Sequence, residues 1–66
     1  MNLILNGEKR RVMEIGTVSD LLKELSLAAE MVLVEQNGQV VPRSQFTETE
    51  LVEGDRIEII KVVAGG

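Results

Sequence analysis

The sequence predicts an α+β fold, in which a mixed sheet of four or five strands is covered on one face by one helix. Apolar and polar residues alternate near the start, the middle and the end of the chain, and this period of two is typical of strands. Residues 18–25 instead have apolar side chains at helical spacing. The 66 residues are enough for a single domain, residues 1–66, with one small core.

The first predicted strand covers residues 1–5, with Leu3 and Leu5 on one side and Ile4 on the other. Asn6-Gly7 follows it, and Asn-Gly between alternating segments is a strong signal for a hairpin turn. The second strand is therefore expected to return antiparallel to the first.

The register of this hairpin depends on the length of its turn. A two-residue turn would pair Leu3 with Arg10, and it would put Met13 and Ile15 on the face away from Leu3. We therefore predict one extra residue in the turn, as a glycine bulge allows. A second strand over residues 10–15 then places both apolar side chains in the core.

The helix is predicted to begin after Thr17, because Thr17 with Asp20 three residues later resembles a capping box. Apolar residues then recur at the spacing of one helix face. They are Val18, Leu21, Leu22 and Leu25. We interpret this stripe as core, because the sheet has no other element to cover it.

Two short strands are predicted in the second half of the chain. Residues 31–35 alternate, and Asn37-Gly38 supplies a second hairpin turn. Val40-Val41 forms a brief strand that Pro42 ends, because proline has no N–H for the ladder. Phe46 lies in a polar stretch and is interpreted as an aromatic plug at the bottom of the core.

The last strand follows a turn at residues 53–55, with Ile57 and Ile59 facing inward. A right-handed crossover through the helix would place the first and last strands side by side and parallel, which is the β-grasp arrangement. We expect the last strand to be central and paired on both sides until about Val63, leaving residues 64–66 as a flexible tail.

Composition excludes several classes of function. The chain has no Cys and no His, so it predicts no disulfide, no metal site and no catalytic residue of the usual kinds. Its net charge of -4, with one Phe and no Trp or Tyr, argues against nucleic acid as a partner. No apolar run reaches the roughly 18 residues of a membrane span. No charged-then-apolar leader is present, so a cytoplasmic location is expected.

The reactive group is predicted to be the terminal carboxylate of Gly66, which follows Gly65 beyond the last strand. Glycine lacks a Cβ and allows close backbone approach, as the narrow channel of a partner enzyme would require. A second candidate site is an apolar patch on the sheet face away from the helix, predicted to dock a partner protein. Its residues are Ile4, Leu33, Ile60 and Val62.

Residues 34–46 read Val-Glu-Gln-Asn-Gly-Gln-Val-Val-Pro-Arg-Ser-Gln-Phe. This segment resembles the ThiS family, the ubiquitin-like sulfur carriers of thiamine biosynthesis, whose members carry a Val-Glu-x-Asn and Val-Pro-Arg-Ser type segment here. Phe46 stands where that family often has Trp. The resemblance also takes in residues 1–7, Gly54-Asp55 and residues 62–66, so it covers nearly the whole chain.

The resemblance implies a carrier and not an enzyme. An adenylyltransferase of the ubiquitin-activating (E1-like, ThiF-type) class would adenylate the carboxylate of Gly66 with ATP. A sulfur donor, such as a cysteine desulfurase or a persulfide carrier, would convert it to a thiocarboxylate. Thiazole synthase (ThiG-type) would then receive the sulfur. No cofactor is expected on this chain, which has no Gly-x-x-x-x-Gly-Lys run for binding ATP.

Other readings remain open at this point. The small subunit of molybdopterin synthase shares the Val-Ala-Gly-Gly ending, although it usually has prolines before it and lacks the Val-Pro-Arg-Ser segment. A ubiquitin-like modifier that forms isopeptide bonds with lysines would also end in two glycines. A binding module with an inert tail is the third alternative.

Overall fold

A computed structural model of the protein describes residues 1–62. Five strands form one sheet in the order β2-β1-β5-β3-β4. β1 and β5 run parallel, and the other neighbouring pairs are antiparallel. The elements are β1 (Asn2–Leu5), β2 (Glu8–Arg11), α1 (Val18–Glu24), a 3-10 turn (Ala29–Met31), β3 (Val32–Gln36), β4 (Gln39–Val41), a second 3-10 turn (Arg43–Gln45) and β5 (Arg56–Lys61). The predicted β-grasp of four or five strands, with its last strand at the centre, is confirmed, and the sheet has five strands.

The register of the first hairpin differs from the prediction. Leu3 pairs with Arg10 and Leu5 with Glu8, so the turn contains only Asn6 and Gly7. Both turn residues have positive φ, 50° and 84°, as the tight two-residue turn that matches strand twist requires. The predicted extra residue in the turn is therefore wrong.

The apolar residues after β2 reach the core by another route. Val12 is buried and forms a reciprocal backbone pair with Met1. Met13, predicted to be in the core, is 70% exposed. Glu14 then takes a positive φ of 56°, which breaks the alternation and returns Ile15 to the buried set. A single backbone reversal thus buries Ile15, one of the two residues that the predicted bulge was expected to bury, and leaves Met13 outside.

α1 has the predicted start and the predicted buried face. The Thr17 side chain accepts from the N–H of Asp20, and the Asp20 carboxylate accepts from the N–H groups of Thr17 and Gly16, which completes a capping box. These bonds to the carboxylate hold the pKa of Asp20 below its ordinary value. Three of the four stripe residues are buried and Leu25 is half-buried.

The second half of the chain also follows its predicted course. The turn at Asn37 and Gly38 has φ values of 52° and 85° and joins β3 to β4 with Gln36 opposite Gln39. Phe46, just after the second 3-10 turn, is 4% exposed and belongs to the core. The predicted aromatic plug is confirmed.

Candidate functional site

The structure centres on β5, the strand that leads toward the chain terminus. Two asparagine side chains bind its backbone, one from each hairpin turn. Asn6 Oδ1 accepts from the N–H of Ile59 at 2.8 Å on the β1 side, and Asn37 Oδ1 accepts from the N–H of Arg56 at 2.9 Å on the β3 side. Each hairpin turn therefore also fixes the position of the central strand.

Asp55, immediately before β5, is a buried carboxylate that was predicted only as part of a turn and of the family resemblance. It is 5% exposed. Its oxygens accept from Asn37 Nδ2 at 2.9 Å, from Gln36 Nε2 at 3.0 Å and from the N–H of Val52 at 2.9 Å. Burial alone would raise the pKa of Asp55, but these hydrogen bonds outweigh burial and lower it. The carboxylate thus joins the turn after β3 to the loop that enters β5.

The pairing of β5 is unequal on its two sides. On the β3 side the register runs from Ile57 opposite Gln36 to Lys61 opposite Val32. On the β1 side it ends at Ile57 opposite Leu5. The prediction of pairing on both sides to about Val63 is therefore wrong for the β1 side, because the hairpin turns away after Leu5. Position 63 itself, like the predicted tail at 64–66, lies outside the described residues.

The outward face of β5 and β3 carries an apolar patch. Leu33 lies directly opposite Ile60, and the two side chains are 41% and 48% exposed. Val62, 50% exposed, donates its N–H to the carbonyl of Met31 at 2.8 Å. We call Leu33, Ile60, Val62 and the adjoining exposed Met31 the sheet patch. Met31 was not among the predicted docking residues, although it lies two positions before Leu33 and so belongs to the same face of the strand.

Ile4 belongs to the same face but not to the sheet patch. It pairs with Arg56, four positions before Ile60 along β5, which is about 13 Å of strand. Ile4 is also only half-exposed. The structure therefore brings together three of the four predicted docking residues, and it places the fourth beside a cation.

An acidic pair borders the sheet patch. Glu35 lies opposite Glu58. This pair is two residues along the strands from Leu33 and Ile60, so its side chains are on the same face of the sheet. Like charges directly opposite each other destabilise a sheet. The face therefore combines exposed apolar side chains with an unfavourable negative pair, and both features suit a partner surface that is apolar and basic.

Gly65 and Gly66, the predicted carrier residues, lie outside the described residues. Within residues 1–62, no group of three or more His, Cys, Asp or Glu side chains is arranged to hold a metal ion. None of the helices in that part of the chain is long and apolar enough to cross a membrane.

The sequence and the structure were compared with known proteins, and both comparisons point to one family. The model of the ThiS family matches residues 3–66. The chain is 37% identical over 65 residues to the sulfur carrier protein ThiS of Bacillus subtilis (strain 168), covering 97% of this chain and 98% of that protein. It is 30% identical over 66 residues to the sulfur carrier protein ThiS of Escherichia coli (strain K12), covering 100% of each.

A solved structure and a longer relative extend the comparison. The crystal structure of a thiamine biosynthesis protein (ThiS) from Geobacter metallireducens matches with a TM-score of 0.84 at 39% identity, covering 100% of each chain. The chain is also 38% identical over 66 residues to a thiazole synthase of Paramagnetospirillum magneticum. That alignment uses 100% of this chain but only 20% of the thiazole synthase, so the chain spans about a fifth of that relative.

Proposed function

We propose that this chain, which belongs to the ThiS family of sulfur carriers in thiamine biosynthesis, carries sulfur on the carboxyl group of Gly66. The carboxylate of Gly66 is activated by an adenylating enzyme, is converted to a thiocarboxylate and then gives its sulfur to a thiazole synthase. The chain acts as a protein cosubstrate and not as a catalyst. The match to the ThiS family model favours this role over a molybdopterin-type carrier.

The chemistry explains why activation is needed. A terminal carboxyl group has a pKa of about 3.5, so it is an anion at neutral pH and a poor electrophile. Its oxygen attacks the α-phosphorus of ATP, which releases pyrophosphate and leaves an acyl-adenylate. A persulfide sulfur then attacks the acyl carbon and releases AMP. A thiol then attacks the donor's sulfur in the resulting S–S bond and forms a new disulfide with it, and the thiocarboxylate leaves with its sulfur on the carbonyl carbon of Gly66.

The observation that carries this proposal is the anchoring of β5. The strand is central, and asparagine side chains fix its backbone from both flanks. Val62 then directly precedes the last four residues of the sequence. A reactive group that must meet an enzyme's nucleotide at bonding distance requires a fixed starting point for the segment that bears it.

The sheet patch is proposed as the docking surface for the enzymes that act on Gly66. Exposed apolar side chains that are contiguous on a small protein commonly mark an interaction site. The net charge of -4 and the Glu35–Glu58 pair favour a basic partner surface. Ile60 lies directly opposite Leu33 and two positions before Val62, and it is the residue whose change tests the patch best.

The proposal includes three partners. Thiazole synthase is supported by relatives in which a segment similar to this chain occupies a fifth of a thiazole synthase. An adenylyltransferase and a persulfide donor are required by the chemistry. We assign no bound cofactor to the chain itself, because ATP is used by the partner enzyme. The cytoplasm, where ATP is available, is the proposed location.

Intact-protein mass spectrometry tests the proposal. The chain is incubated with ATP, an adenylating enzyme and a persulfide donor, and the expected product has one sulfur in place of one oxygen at Gly66. Deleting Gly66, or adding one residue after it, should abolish the gain, because one residue moves the carboxylate by up to about 3.5 Å. A misplacement of about 1 Å can already cost a hundredfold in rate.

Two further variants separate length from side-chain bulk. Gly66→Ala keeps the length but adds a Cβ where close backbone approach is expected, so it should load slowly. Ala64→Gly keeps the length and adds nothing, so it serves as the matched control and should load like the parent. If the shortened or extended chain still gains sulfur at the parent rate, Gly66 is not the carrier site.

A further inference from the structure

β5 has an open backbone edge beyond the tip of the first hairpin. The N–H of Arg56 donates to Asn37 Oδ1, and the carbonyl of Arg56 accepts from the N–H of Asn37. The N–H of Val62 likewise donates to Met31. Because backbone groups of successive strand residues point to alternate sides, those of the even-numbered residues of β5 face β3.

The odd-numbered residues of β5 consequently face the β1 side. Ile57 accepts there from the N–H of Asn6, and Ile59 donates there to Asn6 Oδ1. No strand of residues 1–62 pairs with β5 on that side after Ile57. The carbonyl of Ile59 and the N–H of Lys61 therefore point past the hairpin tip, toward a place where a strand would fit.

An apolar groove lies beside this edge. It has a volume of about 250 Å³. Its walls come from the end of β1, the chain just after α1 and the end of β5, and they are Leu5, Asn6, Leu25, Leu27, Ile59 and Lys61. Leu5, Leu25 and Leu27 are only partly buried against the core. The groove can thus take one apolar side chain, and the Lys61 ammonium borders it.

We propose that this edge of β5 binds an extended segment of the thiazole synthase by strand addition, a proposal that rests on the proposed function because it names a partner from it. The carbonyl of Ile59 accepts from the added strand and the N–H of Lys61 donates to it. One apolar side chain of the strand enters the groove, and an acidic side chain pairs with Lys61.

The features of the site determine the form of the occupant, an extended strand, and the thiazole synthases that contain a segment similar to this chain support the choice of protein. An unpaired strand edge is a template for another backbone, and isolated side chains or small ligands do not match its repeat of donors and acceptors. The ordinary way to protect such an edge is to cover it, and here the hairpin that covers β5 up to Ile57 ends too early. The edge is also distinct from the sheet patch, which lies on the outward face, so the two surfaces can engage one partner together.

Amide hydrogen exchange of the parent chain tests the proposal, using the thiazole synthase of the same organism as the probe. Lys61 and Ile60 are neighbours whose N–H groups point to opposite sides of β5. In the saturated complex, exchange at Lys61 should slow by about tenfold or more, which corresponds to about 1.4 kcal/mol for one hydrogen bond. Exchange at Ile60, which faces β3, should change much less.

Substitutions at Lys61 add a second measurement. Lys61→Pro removes an N–H that no ladder bond of residues 1–62 uses, so the melting temperature should stay near that of the parent. Its affinity for thiazole synthase should fall by more than about tenfold, because it loses both the N–H, which is worth about one hydrogen bond, and the ammonium group that borders the groove. Lys61→Ala loses the ammonium group but keeps the N–H, so it should bind about tenfold more tightly than Lys61→Pro, and this difference measures the backbone hydrogen bond.

The outcomes separate the two proposals. If the parent binds thiazole synthase but the Lys61 amide exchanges as fast as in the free chain, strand addition is overturned and the proposed function stands. Equal affinities of the parent and Lys61→Pro would overturn it in the same way. If the parent does not bind thiazole synthase at all, the partner assignment fails and strand addition fails with it. The exchange measurement needs no variant, so it decides even if Lys61→Pro folds poorly.

Discussion

Replacing Asp55 should measure how much the hydrogen bonds of its carboxylate contribute to the free energy of unfolding. The carboxylate is 5% exposed and accepts three hydrogen bonds, from Asn37, Gln36 and Val52. In Asp55→Asn, one oxygen becomes an NH₂ group that faces a donor. Asn37 cannot rotate its amide to compensate, because its Oδ1 already accepts from Arg56. At least one hydrogen bond is therefore lost whichever way the new amide points.

The expected loss follows from the strength of such bonds. A hydrogen bond to a charged group contributes about 1.5–3 kcal/mol, so Asp55→Asn should lower the free energy of unfolding by about that amount. Asp55→Ala leaves all three donors without this acceptor and should cost more. At about 0.05–0.15 kcal/mol per residue, a domain of 66 residues has a stability of roughly 3–10 kcal/mol, so the alanine variant is expected to be partly unfolded in mild denaturant. Urea denaturation followed by far-UV circular dichroism measures both.

The pH dependence provides an independent test of the same carboxylate. The pKa of Asp55 is lower in the folded chain than in the unfolded chain, so its contribution is present above the unfolded pKa of about 3.9. That contribution is lost as pH falls through the folded pKa. The stability gap between parent and Asp55→Asn should therefore narrow in acid. Asp20 and Glu53 also have lowered pKa values through backbone hydrogen bonds. The parent and Asp55→Asn both keep these two residues, so they do not change the stability gap between the two proteins.

A control and a clear contrary result complete this test. Glu58→Gln removes an exposed carboxylate that faces another glutamate, so it should cause no loss of stability. If Asp55→Asn unfolds at the same urea concentration as the parent, the hydrogen bonds of Asp55 contribute little to stability and do not anchor the start of β5. A stability gap that stays constant with pH would mean that the charge of Asp55 is not what the donors stabilise.

Three further predictions concern the core and the outward face. Leu22→Ala should cost about 2–5 kcal/mol, because Leu22 is 2% exposed under the sheet; a melting temperature near that of the parent would contradict the helix covering the core. Ile60→Glu should weaken binding of the adenylating enzyme while the fold persists, and Met13→Glu, at an exposed apolar residue outside the sheet patch, is the matched control; equal affinities of the two variants in a titration would remove the docking proposal. Glu58→Gln should stabilise the free chain by about 0.2–1 kcal/mol, since it relieves the repulsion from Glu35. The same change should slow association with a basic partner at low salt, and an unchanged association rate would argue against electrostatic steering.

The sequence alone was sufficient for the features that depend on local chemistry. The Asn-Gly pairs predict both turns, because positive φ at two successive positions is tolerated there at little cost. Thr17 and Asp20 predict the helix start, and the period of apolar residues predicts which face is buried. The position of β5 beside β1 follows from the handedness of crossovers. These are properties of neighbouring residues or of general topology.

Several features were decided only in the tertiary structure. A bulged and a tight hairpin turn both satisfy the local pattern, and the structure has the tight turn. With the tight turn, Val12 pairs with Met1 and is buried. The positive φ of Glu14 then reverses the backbone so that Ile15 is buried as well. The separation of Ile4 from Ile60 depends on where β1 meets β5.

The polar contacts around β5 show the same limit. Asp55 lies 18 residues beyond Asn37 in the sequence, and Asn6 reaches Ile59 across 53 residues. No local pattern distinguishes these two asparagines and this aspartate from ordinary turn residues. Their hydrogen bonds depend on the relative offset of strands that are distant in sequence, and packing of the whole core sets that offset.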